Sequence, residues 1–135
     1  MDIGCGKGAV LRTAASYPFD RIGGIEYVDY IADICRKNMK ILGLSDRVEC
    51  FCQDATKFER YGEYDTFYMF NPFEEEILSK VFDRIMEQKP SDKVITVIYL
   101  QPWFLDTLKK KGKCTIRAVL NDKLRGSDTV ILDMK

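Results

Sequence analysis

The sequence predicts an α/β domain, a mostly parallel sheet covered by helices on both faces. Three observations carry this expectation. Strand and helix signals alternate along all 135 residues. A glycine-rich turn, Gly4-Cys5-Gly6-Lys7-Gly8, stands immediately before the first helical pattern. Residues 94–100 form an apolar run without charge, glycine or proline, as in a strand buried on both faces.

Each element has a local cause. Residues 7–16 read as a helix with Val10, Leu11, Ala14 and Ala15 on one face, ended by Tyr17-Pro18. Residues 22–26 form a short buried strand. Residues 29–42 place Ile31, Ile34, Cys35, Ile41 and Leu42 at helical spacing, with Asp29 as N-cap and Gly43 as the stop. The next strand is 48–53. Residues 64–70 form an aromatic-rich strand broken by Asn71-Pro72. Glu74-Glu75-Glu76 then opens a helix, because acids favour the positive helix end. Ile77, Leu78, Val81, Phe82 and Ile85 are its apolar stripe, and Pro90 follows its end. After the strand 94–100 comes a short helix at 103–111, then strands at 113–120 and 129–134. The polar loop 121–128 between these two makes at least one antiparallel pair. No repeat, low-complexity stretch or linker interrupts the series, so one domain spanning 1–135 is expected.

Composition narrows the function. With 46% hydrophobic residues the chain can bury an ordinary core, and 21 basic residues balance 21 acidic ones. Zero net charge and a pI near 6.3 lack the basic footprint of a dedicated nucleic-acid binder, which makes nucleic acid the less favoured partner. The run Lys109-Lys110-Lys111 with Lys113 reads as a solvated helix end. Five cysteines, an odd number with no signal peptide before them, read as reduced thiols of a cytoplasmic protein. Cys50 and Cys52 have the wrong spacing for zinc and are expected on one face of a buried strand. Histidine is absent, which excludes Ser-His and Cys-His dyads. No apolar stretch is long enough to span a membrane.

The candidate functional residues fall at the carboxyl ends of the predicted strands, where ligands bind in such sheets. They are the turn Asp2 to Gly8, then Glu26, Asp54 and Asn71. Glycine permits positive φ and lets a ligand lie on bare backbone, and the helix start turns its amides outward. Gly4, Gly6 and Ala9 also satisfy the dinucleotide pattern G-x-G-x-x-A, so the turn alone admits a nicotinamide cofactor. Glu26 fits both readings, since its carboxylate can accept from two ribose hydroxyls; its plainer reading is a surface acid. Asp2 could serve a cationic amino group and would repel a pyrophosphate. Asp54 could accept from an adenine amino group, or simply form a turn.

Taken together in this order, these segments resemble the class I S-adenosylmethionine-dependent methyltransferases. Asp2-Ile3-Gly4-Cys5-Gly6-Lys7-Gly8 is similar to the family's first motif, Gly24-Ile25-Glu26-Tyr27 to its second, and Gln53-Asp54-Ala55 to its third. Residues Tyr64-Asp65 through Asn71-Pro72-Phe73 are similar to the fourth. The resemblance implies a three-layer Rossmann-like sheet of order 3-2-1-4-5-7-6 with strand 7 reversed. It implies that Asp2, Gly4, Cys5, Gly6 and Gly8 line the methionine part of the cofactor, S-adenosylmethionine. Glu26 would hold the ribose, Tyr27 would flank the adenine, Asp54 would bind its amino group and Ala55 would offer a backbone amide. Asn71-Pro72-Phe73 resembles the Asn/Asp-Pro-Pro-aromatic motif of amino-group methyltransferases, without the second proline. That resemblance implies that Asn71 and a backbone carbonyl accept from a target amine and that Phe73 stacks on a planar substrate. The alternative is a strand-ending turn with Phe73 in the core. Methyl transfer needs alignment and water exclusion more than a base.

The family's first strand should precede Asp2, where this sequence has only Met1, so that strand is expected to be largely missing. A truncated or misassigned start, a neighbouring chain pairing through exposed sheet edges to give a homo-oligomer, or closure of strands 2 and 4 would each account for it. Weak cofactor binding and little activity are expected of this 135-residue form, from the loss of that strand and of the upstream residues that cover the cofactor. The acceptor is left open between a small molecule and a protein side chain. Phe67, Tyr68, Phe70, Phe73 and Trp103 are candidates for an aromatic pocket, most of them expected in the core. A non-catalytic binding or interaction module of the same fold is the competing reading.

Overall fold

The computed structural model describes residues 1–123 and 126–135. Among them lie strands β1 (Asp2–Ile3), β2 (Ile22–Glu26), β3 (Val48–Cys52), β4 (Thr66–Phe70), β5 (Ile95–Leu100), β6 (Cys114–Asp122) and β7 (Ser127–Met134). The helices are α1 (Ala9–Ala14), α2 (Asp29–Ile41), α3 (Glu75–Gln88) and α4 (Leu105–Lys109). The strand order is β3-β2-β1-β4-β5-β7-β6 with β7 antiparallel, as the resemblance implies. The chain divides into two compact units, Met1–Ala55 and Thr56–Lys135.

In the first unit β2 pairs in parallel with β1 and with β3. The strand expected to be largely missing is present as a two-residue piece, Asp2 opposite Gly24 and Ile3 opposite Ile25. Leu11, Ile22, Cys35, Met39 and Val48 form the core, with Cys5 packed among them. Several sequence expectations shift here. Helix α1 starts at Ala9, because Gly8 adopts a left-handed conformation that belongs to the turn. The buried face of α2 is Ala32, Cys35 and Met39, whereas Ile41 and Leu42 are exposed. The helical spacing was right, but α2 is rotated so that small and unbranched side chains meet the sheet. Its N-cap is Val28, not Asp29. Gly43 does end α2, with φ of 68°, and the Leu44 amide reaches back to the Met39 carbonyl at 2.8 Å. The loop after α1 is held by Arg47, whose guanidinium donates to the carbonyls of Ala15 at 2.7 Å and Phe19 at 3.2 Å.

Gly24 is dictated by packing. A Cβ there would lie 2.7 Å from Cys5 Cβ and Sγ and from Leu11 Cδ1, closer than carbon atoms approach. Only a residue without a side chain lets the turn and α1 settle onto β2.

In the second unit β4 and β5 are parallel, and β7 runs antiparallel to both β5 and β6. Leu78, Val81, Phe82 and Ile85 of α3 are buried, while Ile77 of the expected stripe is exposed. Phe58, Tyr61 and Phe67 stack edge to face, with centroids 4.9 and 6.0 Å apart. Gln88 ties this cluster to α3, accepting from the Tyr61 amide at 2.9 Å and donating to the Phe58 carbonyl at 2.7 Å. The expected strand 94–100 begins at Ile95, after an exposed Val94, and alternates buried and half-buried residues, so it is less enclosed than its composition implies. Lys111 is not merely solvated: its ammonium pairs with Asp83 at 2.7 Å. The loop 121–128 is strand at both ends, because Asn121 pairs with Asp128 and Asp122 with Ser127, and the Asn121 amide donates to the Asp128 carboxylate at 2.7 Å. Positions 124 and 125 of that loop lie outside the described residues.

Candidate functional site

The glycine turn connects β1 to α1 within the first unit. Gly4, Gly6 and Gly8 have φ of 80°, 54° and 89°, a region that side chains disfavour. The amides of Gly4 and Cys5 both donate to the Ile25 carbonyl at 2.9 Å, and the Gly8 amide closes the turn on the Cys5 carbonyl at 3.0 Å. The glycines differ in what they need. A Cβ on Gly8 would meet Met39 at 2.8 Å and Cys35 at 2.9 Å, whereas one on Gly6 would meet nothing within 4 Å. Gly6 therefore borders open space, and only its backbone angle selects glycine.

Glu26, at the end of β2, closes over this turn. One carboxylate oxygen accepts from the Gly6 amide at 3.1 Å, and the other accepts from the Val28 amide at 2.9 Å. The second bond satisfies an amide at the start of α2 that has no partner within the helix. One side chain thus joins the glycine turn to the α2 entry, and each oxygen keeps a lone pair for a further donor. Sequence reading placed Glu26 at a strand end but missed this role, since a contact across 20 positions has no local signature. Tyr27 beside it is 75% exposed.

Asp2 is 4% exposed, and its carboxylate makes no hydrogen bond to a described residue. Burial pushes its pKa up to about 7, the Met1 amino group opposes the rise and the Glu26 carboxylate adds to it. The sign for stability follows. The folded state holds this proton at a pH where the unfolded chain, titrating near 3.8, has released it. The contribution is fully present below the unfolded value and is lost as pH rises through about 7. Urea unfolding of the wild type should therefore show stability falling by up to about 1.4 kcal/mol per pH unit within that window. Asp2→Asn should flatten the profile; an unchanged slope would assign the effect to other groups.

At the end of β3, the Gln53 amide donates to the Glu26 carbonyl at 3.1 Å, which sets the following residues beside the end of β2. Asp54 is half-buried there, and Ala55 is buried at the start of a 3-10 turn, Ala55–Lys57. The first unit thus brings together the glycine turn, Glu26, Tyr27, Asp54 and Ala55 at the carboxyl ends of its parallel strands.

Asn71, Pro72 and Phe73 belong to the second unit and follow β4 directly; all three are half-buried. Asn71 adopts a φ of 38°, uncommon for a residue with a side chain. Its carboxamide oxygen accepts from the Tyr99 hydroxyl at 2.8 Å. Burial pushes the Tyr99 phenol up, partly opposed by a hydrogen bond from the Phe104 backbone, so it stays protonated and donates to Asn71. Tyr99 escaped the sequence reading because it sits inside an apolar strand pattern. Of the aromatic candidates only Phe67 is core; Phe70 is 54% and Trp103 73% exposed, contrary to the expectation that most are buried.

Other features among the described residues do not form a competing site. All five cysteines are free. The Cys35 and Cys50 sulfurs lie 2.8 Å apart, but contact with Cys5 pushes the Cys35 thiol up to about 12, unsuited to nucleophilic work. Cys50 and Cys52 are only half-buried, because β3 ends the strand order. A groove of about 360 Å³ is lined by Lys7, Gly8, Arg12, Asn38, Met39 and Ile41 and contains none of the three acids. Among the described residues no His, Cys, Asp and Glu group could hold a metal, and no helix is long and apolar enough to cross a membrane.

A family model described as a methyltransferase domain matches residues 1–88. No curated protein matches the chain. Among solved structures, the chain is similar to the mitomycin 7-O-methyltransferase MmcR, with a TM-score of 0.79, 18% identity, and coverage of 99% of this chain and 48% of that one. It is also similar to the methyltransferase domain of bacterial CtHen1-C, with a TM-score of 0.76, 16% identity, and coverage of 98% and 87%. A third similar structure is the [4+2]-cyclase SpnF, with a TM-score of 0.76, 15% identity, and coverage of 99% and 74%. At these identities the likeness concerns the fold. The chain spans about half the length of the first of these proteins.

Proposed function

This chain belongs to the methyltransferase domain family, and we propose that it binds S-adenosylmethionine on the unit Met1–Ala55 and transfers the methyl group to an acceptor amine. The observation that carries the reading is Glu26, whose two oxygens are held by the Gly6 and Val28 amides. A carboxylate so oriented keeps free lone pairs for the two hydroxyls of a ribose. The neighbouring groups suit the rest of the cofactor. Gly6 leaves open space at the turn, Asp2 offers a carboxylate to an ammonium group, and Asp54 with the Ala55 amide offers an acceptor and a donor to an adenine edge. Tyr27 supplies an exposed ring to flank that adenine.

The cofactor supplies, when bound, a methyl group activated on a sulfonium. The chain's own residues then align the acceptor. Asn71 and the Pro72 carbonyl would accept from the target amine, and Phe73 would stack on the acceptor. No residue needs to act as a strong base, since alignment and exclusion of water lower the barrier. The free thiols support a reducing, cytoplasmic location.

Calorimetric titration with S-adenosylmethionine and S-adenosylhomocysteine tests the reading, with an Asp54→Ala variant and a nicotinamide dinucleotide as comparators. Binding of both S-adenosyl ligands, weakened at least about tenfold in the variant, is the expected result. A folded chain that binds neither, or prefers the dinucleotide, would overturn it. The affinity should also fall as pH drops below about 7, because the Asp2 carboxyl takes up a proton there and no longer attracts the ammonium. Cofactor affinity and fold stability should thus respond to acid in opposite directions, and Asp2→Asn should remove both trends.

A second reading has one observation in its favour. A protein described as a [4+2]-cyclase shares this fold, so the fold alone does not require methyl transfer. Cofactor binding without label transfer from methyl-labelled cofactor to any amine would favour a non-catalytic module.

A further inference from the structure

The turn after β5 repeats the turn after β4. Phe70 and Leu100, the last residues of the two parallel strands, are register partners. Each is followed by a carboxamide residue, a proline and an aromatic: Asn71-Pro72-Phe73 after β4 and Gln101-Pro102-Trp103 after β5. The two carboxamide residues are the only non-glycine residues with positive φ among those described, Asn71 at 38° and Gln101 at 51°. A residue before proline is ordinarily driven to extended backbone, so both turns hold a conformation that costs free energy. Strain of this kind persists where the surrounding structure enforces it, and it clusters at ligand sites. Here it occurs twice, at matched positions, at the carboxyl ends of neighbouring parallel strands, where such sheets bind ligands.

The two turns are held differently. Asn71 is anchored through its oxygen to the Tyr99 hydroxyl at 2.8 Å, which leaves its amide N–H groups and one oxygen lone pair. Gln101 is anchored by its backbone, its amide donating to the Asp128 carbonyl at 2.8 Å and its carbonyl accepting from the Trp103 amide at 2.8 Å. Its carboxamide makes no hydrogen bond to a described residue, so among those residues both its donor and its acceptor are unused. Trp103 beside it is 73% exposed, an unusual state for the largest apolar side chain.

We propose that Gln101-Pro102-Trp103 is a second acceptor-binding turn, and that with Asn71-Pro72-Phe73 it selects a planar nitrogen ring carrying an amino group beside a ring nitrogen. A free carboxamide pairs with such an edge through two hydrogen bonds, donating to the ring nitrogen and accepting from the amino group. Two aromatic side chains, one per turn, supply faces for the ring. Tyr99 is a positioning residue that sets which side of the Asn71 carboxamide faces the ligand. The inference rests on the methyl-transfer reading for its purpose, but the binding it describes belongs to the second unit alone.

Trp103 is the only tryptophan in the chain and reports on its own turn. Its fluorescence, excited at the red edge of indole absorption, would be titrated with cytosine and adenine, and with cyclohexylamine and benzyl alcohol as controls. Titrations are run with and without saturating S-adenosylhomocysteine, which keeps adenine from the cofactor site. At least one base should quench saturably and the controls should not. Gln101→Ala and Asn71→Ala should each weaken that quenching at least fivefold. Tyr99→Phe should weaken it, and Asn71→Asp, which keeps the acceptor oxygen but loses the amide donor, should weaken it for both bases. No saturable quenching by either base, or quenching unchanged in Gln101→Ala, would overturn the proposal. Calorimetry with S-adenosylhomocysteine on the same variants separates the two readings. Cofactor binding without base binding overturns only the second turn, and base binding without cofactor binding overturns only the methyl-transfer reading.

Discussion

Glu26→Ala is expected to weaken S-adenosylhomocysteine binding at least tenfold and to lower the unfolding free energy by about 2 kcal/mol. Both effects come from one carboxylate. Without it the Gly6 and Val28 amides lose bonds of 3.1 and 2.9 Å, and each bond had a charged acceptor. Water can reach Val28 and partly replaces its bond, which keeps the stability cost moderate. The binding cost is larger because the ribose loses its acceptor and the turn loses the contact that fixes its shape. Removing Glu26 also lifts one influence that raises Asp2, so the Asp2 titration should move toward lower pH. Glu26→Gln should fall between: its oxygen serves one amide, while its NH2 group faces the other. Calorimetry and urea unfolding measure the two effects separately. Wild-type affinity in Glu26→Ala would remove the carboxylate from the site.

Gly24→Ala should cost about 3 kcal/mol, close to the upper range for an overpacked core. The added methyl would stand 2.7 Å from Cys5 and from Leu11. Leu11 is 1% exposed, so its side chain is enclosed by neighbours that must shift with it. Gly6→Ala is the contrasting case. Its Cβ meets nothing within 4 Å, and only the φ of 54° is unfavourable, so about 1 kcal/mol is expected. Gly24→Ala and Leu11→Ala should also couple, the pair costing less than the sum of the single changes. Thermal and urea unfolding of the four variants tests this ordering. A Gly24→Ala protein within about 0.5 kcal/mol of wild type would show that the α1 contact is loose.

Much of this was legible in the residues because it depends on local causes. Alternation of strand and helix patterns, the positive-φ demand of three glycines and the helix stop at Gly43 are read within a few positions. The strand order was implied by the resemblance to the family, and the structure agrees. Where the reading slipped, a nonlocal contact decided. The buried face of α2 kept Cys35 but took Ala32 and Met39 in place of Ile41 and Leu42, because the sheet meets small and unbranched side chains there. The polar stretch 121–128 contributes strand at both ends because β7 offered β6 a partner. Polarity marks exposure, and an edge strand is exposed on both faces.

By itself, the sequence determined the alternation of strands and helices and the acids at the strand ends, since these are carried by residue type and spacing, and its motifs carried the family resemblance that implied the strand order. Only the tertiary structure decided that Glu26 straps the glycine turn to the α2 entry, that Tyr99 holds Asn71, and that Gln101 stands beside Asn71 as its counterpart. These depend on the register of neighbouring strands, which places positions 20 to 30 residues apart within hydrogen-bond reach. A local pattern carries no information on which of many distant carboxylates, hydroxyls or carboxamides the fold will bring together.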